Sequence, residues 1–427
     1  MGKTQGKTGW LTKAAVALAL LVVVAVAALS AVGLWRKAKV ERRLATLRAA
    51  GEPVSLADLA RPVPTRGNAA LVLDGEALRT YASDNEGFGR YRLQLALPGR
   101  QPRVALMESV ARSLAGFKPL LDAIDEAAAC DAYVRNTNYV ATTPKSLLND
   151  VGDAVHRLKS VARLQSVRVR FDLARGDVAV AFEKGFDALR LAKLARRQPL
   201  IIGYLAGVAS DGVAIDDFNR VLRSGQVDEA FRERLDEQLA KQYDMASLVD
   251  ALRSERAHNL ASFDSMGPDL GQWASSKLAL LDYHEAAIPW IAAPPWKSTV
   301  PAPATRGNSL VQLMAPSVEG LRTAHWRMVA LGRCLRVLNA LQRFSEENGR
   351  EASGLDELDL PDTVKTDPFS GKPLVCGWRE NEDGTSGWWI YSMMENGVDD
   401  GGKFDDASDY GLAPLRPATL PTPDDAP

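Results

Sequence analysis

An uninterrupted apolar segment near the N-terminus is the feature that most constrains the fold of this chain. The segment Ala14–Trp35 contains no charged residue. As an α-helix it would be about 33 Å long, which is enough to cross the hydrocarbon core of a bilayer. Trp10 precedes it and Trp35 ends it, where indole rings favour the membrane interface, and Lys13 and Arg36 flank it. The sequence therefore predicts a single transmembrane helix whose partner is the lipid bilayer.

A cleaved signal peptide is the alternative interpretation of this segment. The apolar region of a signal peptide would be shorter, and Ala28-Leu29-Ser30 matches the small-x-small cleavage pattern poorly, so a retained anchor is favoured. Two features of the sequence predict opposite orientations of the protein in the membrane. More basic residues follow the segment than precede it, which favours a cytoplasmic body. The calcium hypothesis and the resemblance given below favour an extracytoplasmic body, which is the orientation expected here.

Composition excludes several classes of protein. The chain has 427 residues, of which 46% are hydrophobic and 25% are charged, values typical of a folded protein. The formal net charge of -1 provides no basic field, so nucleic acid is not expected as a partner. The three cysteines, Cys130, Cys334 and Cys376, are too few and too widely spaced for a disulfide framework or a CxxC metal site. A single disulfide between Cys334 and Cys376 is an alternative that the sequence leaves open.

The fold class predicted for the rest of the chain is mainly α, with an antiparallel helical body. Residues 147–174 and 178–196 form an amphipathic helical hairpin that is broken at Arg175-Gly176-Asp177, where Asp177 is expected to cap the second helix. The hairpin resembles one tetratricopeptide unit, and antiparallel helices in a common core are the favoured alternative. Further helices are predicted over 200–224 and 227–254.

Residues 289–306 combine several prolines with Trp290 and Trp296, which predicts a loop. Its tryptophans either form a partner site or pin the loop to the protein's own surface, and the second is favoured because exposed indoles are costly. The predicted order is a basic tail with transmembrane and juxtamembrane helices (1–50), a linker (51–67), the helical body (68–288), this Pro/Trp-rich loop (289–306), a helix with a β-ribbon and an acidic loop (307–412), and a Pro-rich disordered tail (413–427).

The C-terminal part has the most specific residue order in the chain. A long helix starting near Pro316 ends at Asn348-Gly349, and Thr366-Asp367-Pro368-Phe369-Ser370-Gly371 follows it. Two predicted strands, over 373–378 and 387–392, enclose a polar turn that contains Asp383-Gly384. Glu395-Asn396-Gly397 and an acidic, glycine-containing loop come next. The segment is therefore predicted to be a small α+β module with a short antiparallel β-ribbon.

This order resembles the C-terminal part of type II secretion pseudopilins. The matching residues include Asp367, Pro368, Gly371, Tyr391 and Asp399, and the resemblance covers about a quarter of the chain. The whole layout resembles uncharacterised single-pass membrane proteins of planctomycete bacteria. In a pilin subunit, however, the membrane helix runs directly into this module behind a processing site. Here the apolar segment lies far upstream and lacks that pattern, so the fold is expected without pilin-type filament assembly.

The acidic loop is a candidate calcium site. Six carboxylates lie between residues 395 and 409 against one lysine, and crowded carboxylates repel unless a cation lies among them. Calcium suits oxygen ligands on a glycine-containing loop, and the resemblance strengthens the idea because some pseudopilins bind calcium at the equivalent loop. Asp399, Asp400 and Asp406 are the predicted ligands. EF-hand spacing is absent, and a solvated acidic loop without a metal is the alternative.

No catalytic signature occurs in the sequence. The four histidines, at positions 156, 258, 284 and 325, have no partner at metal-ligand spacing, and neither G-x-S-x-G nor H-E-x-x-H is present. The sequence predicts a non-enzymatic structural or protein-interaction protein of the cell envelope, with other envelope proteins as partners. The alternatives are an accessory component of a type II secretion or pilus-like assembly, and an enzyme whose site assembles from scattered residues of the helical body.

Overall fold

The computed structural model describes residues 5–74, 90–92, 94–95, 104–225, 227–267, 273–297, 299, 301–305, 307–314, 318–380, 385–404 and 408–415. Its helices are α1 (Gln5–Ala49), α2 (Ala69–Leu73), α3 (Val104–Gly116), α4 (Lys118–Ala128), α5 (Pro144–Ala174), α6 (Val178–Arg196), α7 (Leu200–Leu222), α8 (Glu229–Ala240), α9 (Met245–Ser265), α10 (Ala274–Ala292), α11 (Ser309–Met314), α12 (Val318–Asn348) and α13 (Asp362–Lys365). The strands are β1 (Val375–Glu380), β2 (Ser386–Ser392) and β3 (Tyr410–Leu412). The fold is mainly helical, as the sequence predicts.

The first helix, α1, continues without a break from the predicted span into the body. It is long and apolar enough to cross a membrane. Leu21 and Leu29 are 67% and 73% exposed, whereas Val40 is 3% exposed and lies in the main hydrophobic core with Leu44. Gly51, at a φ of 73°, follows the end of the helix. One element therefore carries both the apolar segment and a surface packed on the body.

The centre of the body is the bundle of α5, α6 and α7. Gly203 and Gly207 lie one turn apart on α7: Gly203 contacts Gln198 in the turn after α6, and Gly207 allows α7 to approach the end of α6 very closely. A Cβ at Gly207 would lie 2.7 Å from the carbonyl oxygen of Ala192 and 2.6 Å from the backbone nitrogen of Arg196. The buried Arg196 pairs there with the buried Asp211. Glycine is required at this contact because neither backbone can move away cheaply.

Several helical predictions are corrected by the structure. The helix predicted over 227–254 is two helices, α8 and α9, separated at residues 241–244. Asp177 precedes α6, but its side chain makes no capping hydrogen bond and instead pairs with Arg175 at 3.4 Å. The expected start of the long C-terminal helix at Pro316 lies outside the described residues, and α12 is described from Val318.

The Pro/Trp-rich loop also differs from the expectation at its start. Pro289 and Trp290 belong to α10, and Trp290 is buried with the Arg322 guanidinium 4.3 Å from its ring centroid. Trp296, which is 45% exposed, covers Gly371, where an added Cβ would lie 2.6 Å from the indole. Both tryptophans therefore contact the protein itself, as the pinned alternative expects.

The C-terminal module places a small antiparallel sheet against α12. The strand order is β1-β2-β3, with Trp378 opposite Trp388 and Ile390 opposite Leu412. Ile390 and Leu412 are buried in the main core. The sequence predicts the two-stranded ribbon but not β3. The predicted turn residues Asp383-Gly384 and the Pro-rich tail beyond residue 415 lie outside the described residues.

Candidate functional site

The acidic loop covers the outer face of the sheet. Gly402, at a φ of 80°, lies beneath the rings of Trp389 and Tyr391, where an added Cβ would approach Trp389 to 2.7 Å. The ring of Phe404 packs against the same two side chains, with centroid separations of 5.6 Å to Trp389 and 6.0 Å to Tyr391. The loop is thus held by aromatic contacts, and the carboxylates next to them are placed at defined positions on the module.

Of the two predicted ligands that the structure describes, Asp399 accepts more hydrogen bonds. Its Oδ1 accepts hydrogen bonds from the Tyr391 hydroxyl at 2.8 Å and from the Gly401 N–H at 2.9 Å. These two bonds lower the pKa of Asp399. Arg379 completes the group by donating to the Tyr391 hydroxyl and to the Gly401 carbonyl oxygen, at 2.8 and 2.7 Å. The carboxylate therefore stays ionised and is fixed against the sheet.

Asp400 lies at the exposed edge of the loop. Its Oδ2 accepts a hydrogen bond from the Asn396 side-chain amide at 2.9 Å, and the Asn396 side-chain oxygen accepts one from the Val398 N–H at the same distance. The Asx turn at Asn396 thus orients Asp400 without neutralising its charge. Asp406, the third predicted ligand, lies outside the described residues.

Asp409 is a candidate ligand that is not among the three predicted from the sequence. It is fully buried, and its Oδ2 accepts a hydrogen bond from the Gly402 N–H at 2.8 Å. Its Oδ1 has no hydrogen-bond partner among the described residues. Burial raises the pKa of Asp409, and the charges of Asp399 and Asp400 add to that rise, whereas hydrogen bonds from the backbone of Gly402 and of Asp400 oppose it. A buried carboxylate oxygen without a donor is the position at which a cation would be most stabilising.

The described carboxylates of the loop do not form a calcium site by themselves. Asp399, Asp400 and Asp409 supply hard oxygen ligands, and the charges of the first two act on the third, as the sequence argument requires. Over the described ranges, no group of three acidic, histidine or cysteine side chains is placed so that it could hold a metal ion. A complete site would therefore need further oxygen ligands, for which Asp406 is the sequence-based candidate.

Two of the histidines lie in the core of the helical body. His325, on α12, is 1% exposed, and its Nδ1 lies 2.6 Å from the Tyr204 hydroxyl. His284, on α10, is also 1% exposed, and neither ring nitrogen has a hydrogen-bond partner within the described parts of the chain. Burial lowers the pKa of each imidazole to about 3, so both are neutral at pH 7. The prediction that these side chains are not metal ligands stays a prediction.

Free thiols are present at all three cysteine positions in the structure. Cys334 is buried on α12, and burial raises its pKa well above the ordinary value. Burial also raises the pKa of Cys376, to about 12. Neither of these two thiols is therefore activated as a nucleophile.

Comparison of the chain with protein-family models, with curated proteins and with solved structures finds no match.

Proposed function

We propose that this chain is a membrane-anchored, non-enzymatic structural or protein-interaction protein of the cell envelope, with its body outside the cytoplasm. The observation that carries the proposal is the division of α1 into two parts. The apolar side chains of its N-terminal part are exposed, while Val40 and Leu44 are buried in the body. An exposed hydrophobic surface of this length is stable only in lipid or against another apolar surface.

Ion pairs support a rigid attachment of the body to the anchor. Arg43 of α1 pairs with Asp282 and Glu285 of α10. Just after α1, Glu52 pairs with two arginines of α9, Arg253 at 3.0 Å and Arg256 at 2.8 Å. These contacts tie the end of α1 to two helices of the body. The body would therefore be held close to the bilayer, as suits a protein that presents a surface to envelope partners.

The C-terminal module is the part proposed to respond to calcium. The resemblance to pseudopilins is part of this proposal, and it rests on the sequence order of helix, Asp-Pro segment, strands and acidic loop. Asp399, Asp400 and Asp409 would contribute ligands, and Asp406 is the further predicted one. Calcium-dependent ordering needs the metal concentrations found outside the cytoplasm. The calcium proposal therefore supports the extracytoplasmic orientation over the indication from basic residues.

Anchoring and orientation are tested with the full-length protein. We expect it to sediment with membranes, to resist extraction by high salt and to be released by detergent, because α1 would lie in the bilayer. A C-terminal alkaline phosphatase fusion should be active and a C-terminal β-galactosidase fusion inactive. A matched variant without residues 1–35 is the control and should leave the membrane fraction. Soluble full-length protein, or a mature N-terminus beyond residue 30, would contradict the anchor.

Calcium binding is tested by thermal unfolding in detergent. At about 5 mM CaCl2 we expect the folded state to gain about 1–2 kcal/mol, since extracellular calcium modules have dissociation constants of roughly 0.1–1 mM. The same concentration of MgCl2 should have much less effect, because Mg²⁺ requires stricter coordination geometry. Calcium should also protect the loop from proteolysis.

Two variants sharpen the calcium test. Asp409→Asn should raise the melting temperature without calcium, since it removes a buried charge that faces two others, and it should abolish the calcium increment. Asp359→Asn, at an exposed position outside the loop, is the control and should keep the increment. The proposed site would be excluded if calcium still raised the stability of Asp409→Asn, or if Mg²⁺ raised the stability of the wild type as much as calcium does.

A further inference from the structure

Three basic side chains of α1 form a row directly after its apolar part. Arg36, Lys39 and Arg42 follow one another at steps of three residues, and residues at this spacing are neighbours on the surface of a helix. All three are exposed, and among the described residues none of them forms an ion pair with a carboxylate. These three residues, the basic row, are therefore a positive surface that the protein itself leaves uncovered.

The basic row lies at the depth of the lipid headgroups. Arg36 is the residue after Trp35, an indole that favours the membrane interface. At about 1.5 Å per residue, the backbone of Lys39 is about 6 Å beyond Trp35 and that of Arg42 about 10 Å beyond it. The headgroup layer on each side of a bilayer is about 5–8 Å thick. The first two members of the row therefore start within this layer, and Arg42 starts just beyond it.

Two of these side chains are directed back toward the apolar segment. The Lys39 Nζ lies 5.8 Å from the centroid of the Trp35 ring, and the Arg42 Nε donates to the Ala38 carbonyl oxygen at 3.3 Å. Helical side chains lean toward the N-terminus of their helix, which is the membrane side of α1. This direction brings the charge of Arg42 closer to the headgroups than its own backbone is.

The contacts of α1 with the body fix the side on which the basic row faces. Val40 and Leu44 are buried in the main core. At about 100° per residue, Arg42 lies about 160° around the helix from each of them. Because the buried side chains prevent α1 from turning about its axis, the basic row faces away from the body and toward the surrounding lipid.

The balance of charge around the row is positive. Residues 36–43 include five basic residues and one acidic residue, Glu41. Glu41 lies about 160° around the helix from Lys39, so it does not face the middle of the row. Arg43 pairs with two carboxylates of α10. With these carboxylates included, basic residues still outnumber acidic ones by five to three.

We infer that the basic row binds the phosphate groups of anionic phospholipids, so that the anchor recruits these lipids at the end next to the body. The inference rests on the proposed membrane anchor and names the lipid class that it prefers. Guanidinium and ammonium groups donate charge-assisted hydrogen bonds to phosphate oxygens. An acidic protein is the less fitting occupant, because the row continues the apolar segment without a gap and lies at headgroup depth.

The test measures the lipid selectivity of the full-length protein in phosphatidylcholine vesicles. Spin-labelled phosphatidylglycerol or spin-labelled phosphatidylcholine is added in trace amounts, and electron paramagnetic resonance gives the ratio of their association constants with the protein. We expect phosphatidylglycerol to be favoured about five-fold, because one basic residue near an anionic lipid contributes about this factor. In about 0.5 M NaCl the ratio should fall toward one, since salt screens exposed charges.

The variant Arg36→Gln/Lys39→Gln/Arg42→Gln should lower this ratio at least two-fold. The control is Lys145→Gln/Lys159→Gln/Arg163→Gln, which makes the same change of charge at exposed positions of α5 and should keep the wild-type ratio. The substituted side chains are exposed, so both variants should fold, and circular dichroism verifies this.

Flotation with phosphatidylcholine vesicles separates the anchor from its lipid preference. Failure of the wild type to float would contradict the anchor itself. Flotation with a wild-type ratio near one would overturn the lipid inference alone and leave an acidic partner protein as the occupant of the basic row. Equal ratios in the wild type and the basic-row variant, or an equal loss in the α5 control, would also overturn it.

Discussion

Replacing Asp367 with alanine should lower the free energy of unfolding by about 3–5 kcal/mol and loosen the C-terminal module from the helical body. Asp367 is fully buried. Its carboxylate accepts hydrogen bonds from the Phe369 N–H at 2.9 Å and the Ser370 hydroxyl at 2.8 Å. It also accepts them from the Ser392 hydroxyl at 2.7 Å and the Met393 N–H at 3.3 Å. In the alanine variant all four of these donors lose the carboxylate as their acceptor.

The carboxylate of Asp367 joins the Asp-Pro turn to the end of β2. The preceding residue is connected to α12, because Arg333 donates to the Thr366 carbonyl oxygen at 2.7 Å. Loss of the carboxylate therefore weakens the attachment of the sheet to both the turn and the long helix. Urea unfolding in detergent measures the change in free energy, and limited proteolysis measures release of the module.

Two further variants control the Asp367 prediction. Asp367→Asn keeps one acceptor oxygen but places an amide among donors, so it should cost less than alanine yet remain destabilising. Asp359→Ala, at an exposed position before α13, should change stability by less than about 0.5 kcal/mol. If Asp367→Ala costs no more than this control, the four hydrogen bonds do not hold the module in place.

Helix boundaries are predictable from the sequence where the signals are local. The sequence predicts α6 over the residues at which it is observed, Val178–Arg196, after a turn in which Gly176 has a φ of 84°. The end of α12 at Asn348 is predictable in the same way, since Gly349 has a φ of 64°. Both boundaries depend on backbone geometry that glycine adopts without strain, and this requirement is visible in the residue type itself.

The break between α8 and α9 has one local signal, Asp244, which caps α9, and otherwise depends on tertiary contacts. Residues 241–244 contain neither glycine nor proline. The buried Gln242 amide donates to the Leu189 carbonyl oxygen and to Asp211 Oδ1, both at 2.8 Å. These bonds to α6 and α7 draw the chain out of the helix, and nothing in residues 227–254 indicates them.

The candidate site is predictable only in part, for a similar reason. Asp399 and Asp400 stand out in the acidic run, whereas Asp409 is significant only because it is buried beside β3. That strand is three residues long, too short for an alternating pattern. Gly411 allows it to lie close against β2, where an added Cβ would be 2.2 Å from the Ile390 carbonyl oxygen. The strand depends on a neighbouring strand, which single-sequence periodicity does not describe.

Acidification from pH 7 to pH 5 should destabilise the protein by about 4 kcal/mol through two buried histidines. The folded state holds the pKa of His284 and His325 at about 3, whereas an unfolded histidine has a pKa of about 6.5. Between these values the unfolded state binds more protons. Stability is therefore full above about pH 6.5 and falls as the pH drops, by about 2 kcal/mol for each histidine at pH 5.

Buried carboxylates act in the opposite direction and must be separated from this effect. Burial raises the pKa of Glu255 and Asp187, so these groups favour the folded state as the pH falls. The histidine contribution is isolated by His284→Phe, which keeps a ring of similar shape. Because neither nitrogen of His284 has a hydrogen-bond partner in the described part of the chain, the variant loses no such bond there.

At pH 7, His284→Phe should therefore have a melting temperature at least as high as that of the wild type. Between pH 7 and pH 5 it should lose about half as much stability as the wild type. The charge of Arg256 also lowers the pKa of His284, because a second positive charge beside that guanidinium is unfavourable. His156→Gln, at an exposed position of α5, is the matched control and should follow the wild-type pH profile. Melting temperatures in detergent across this pH range provide the measurement. Parallel profiles for wild type and His284→Phe would mean that His284 is protonated or solvated in the folded state.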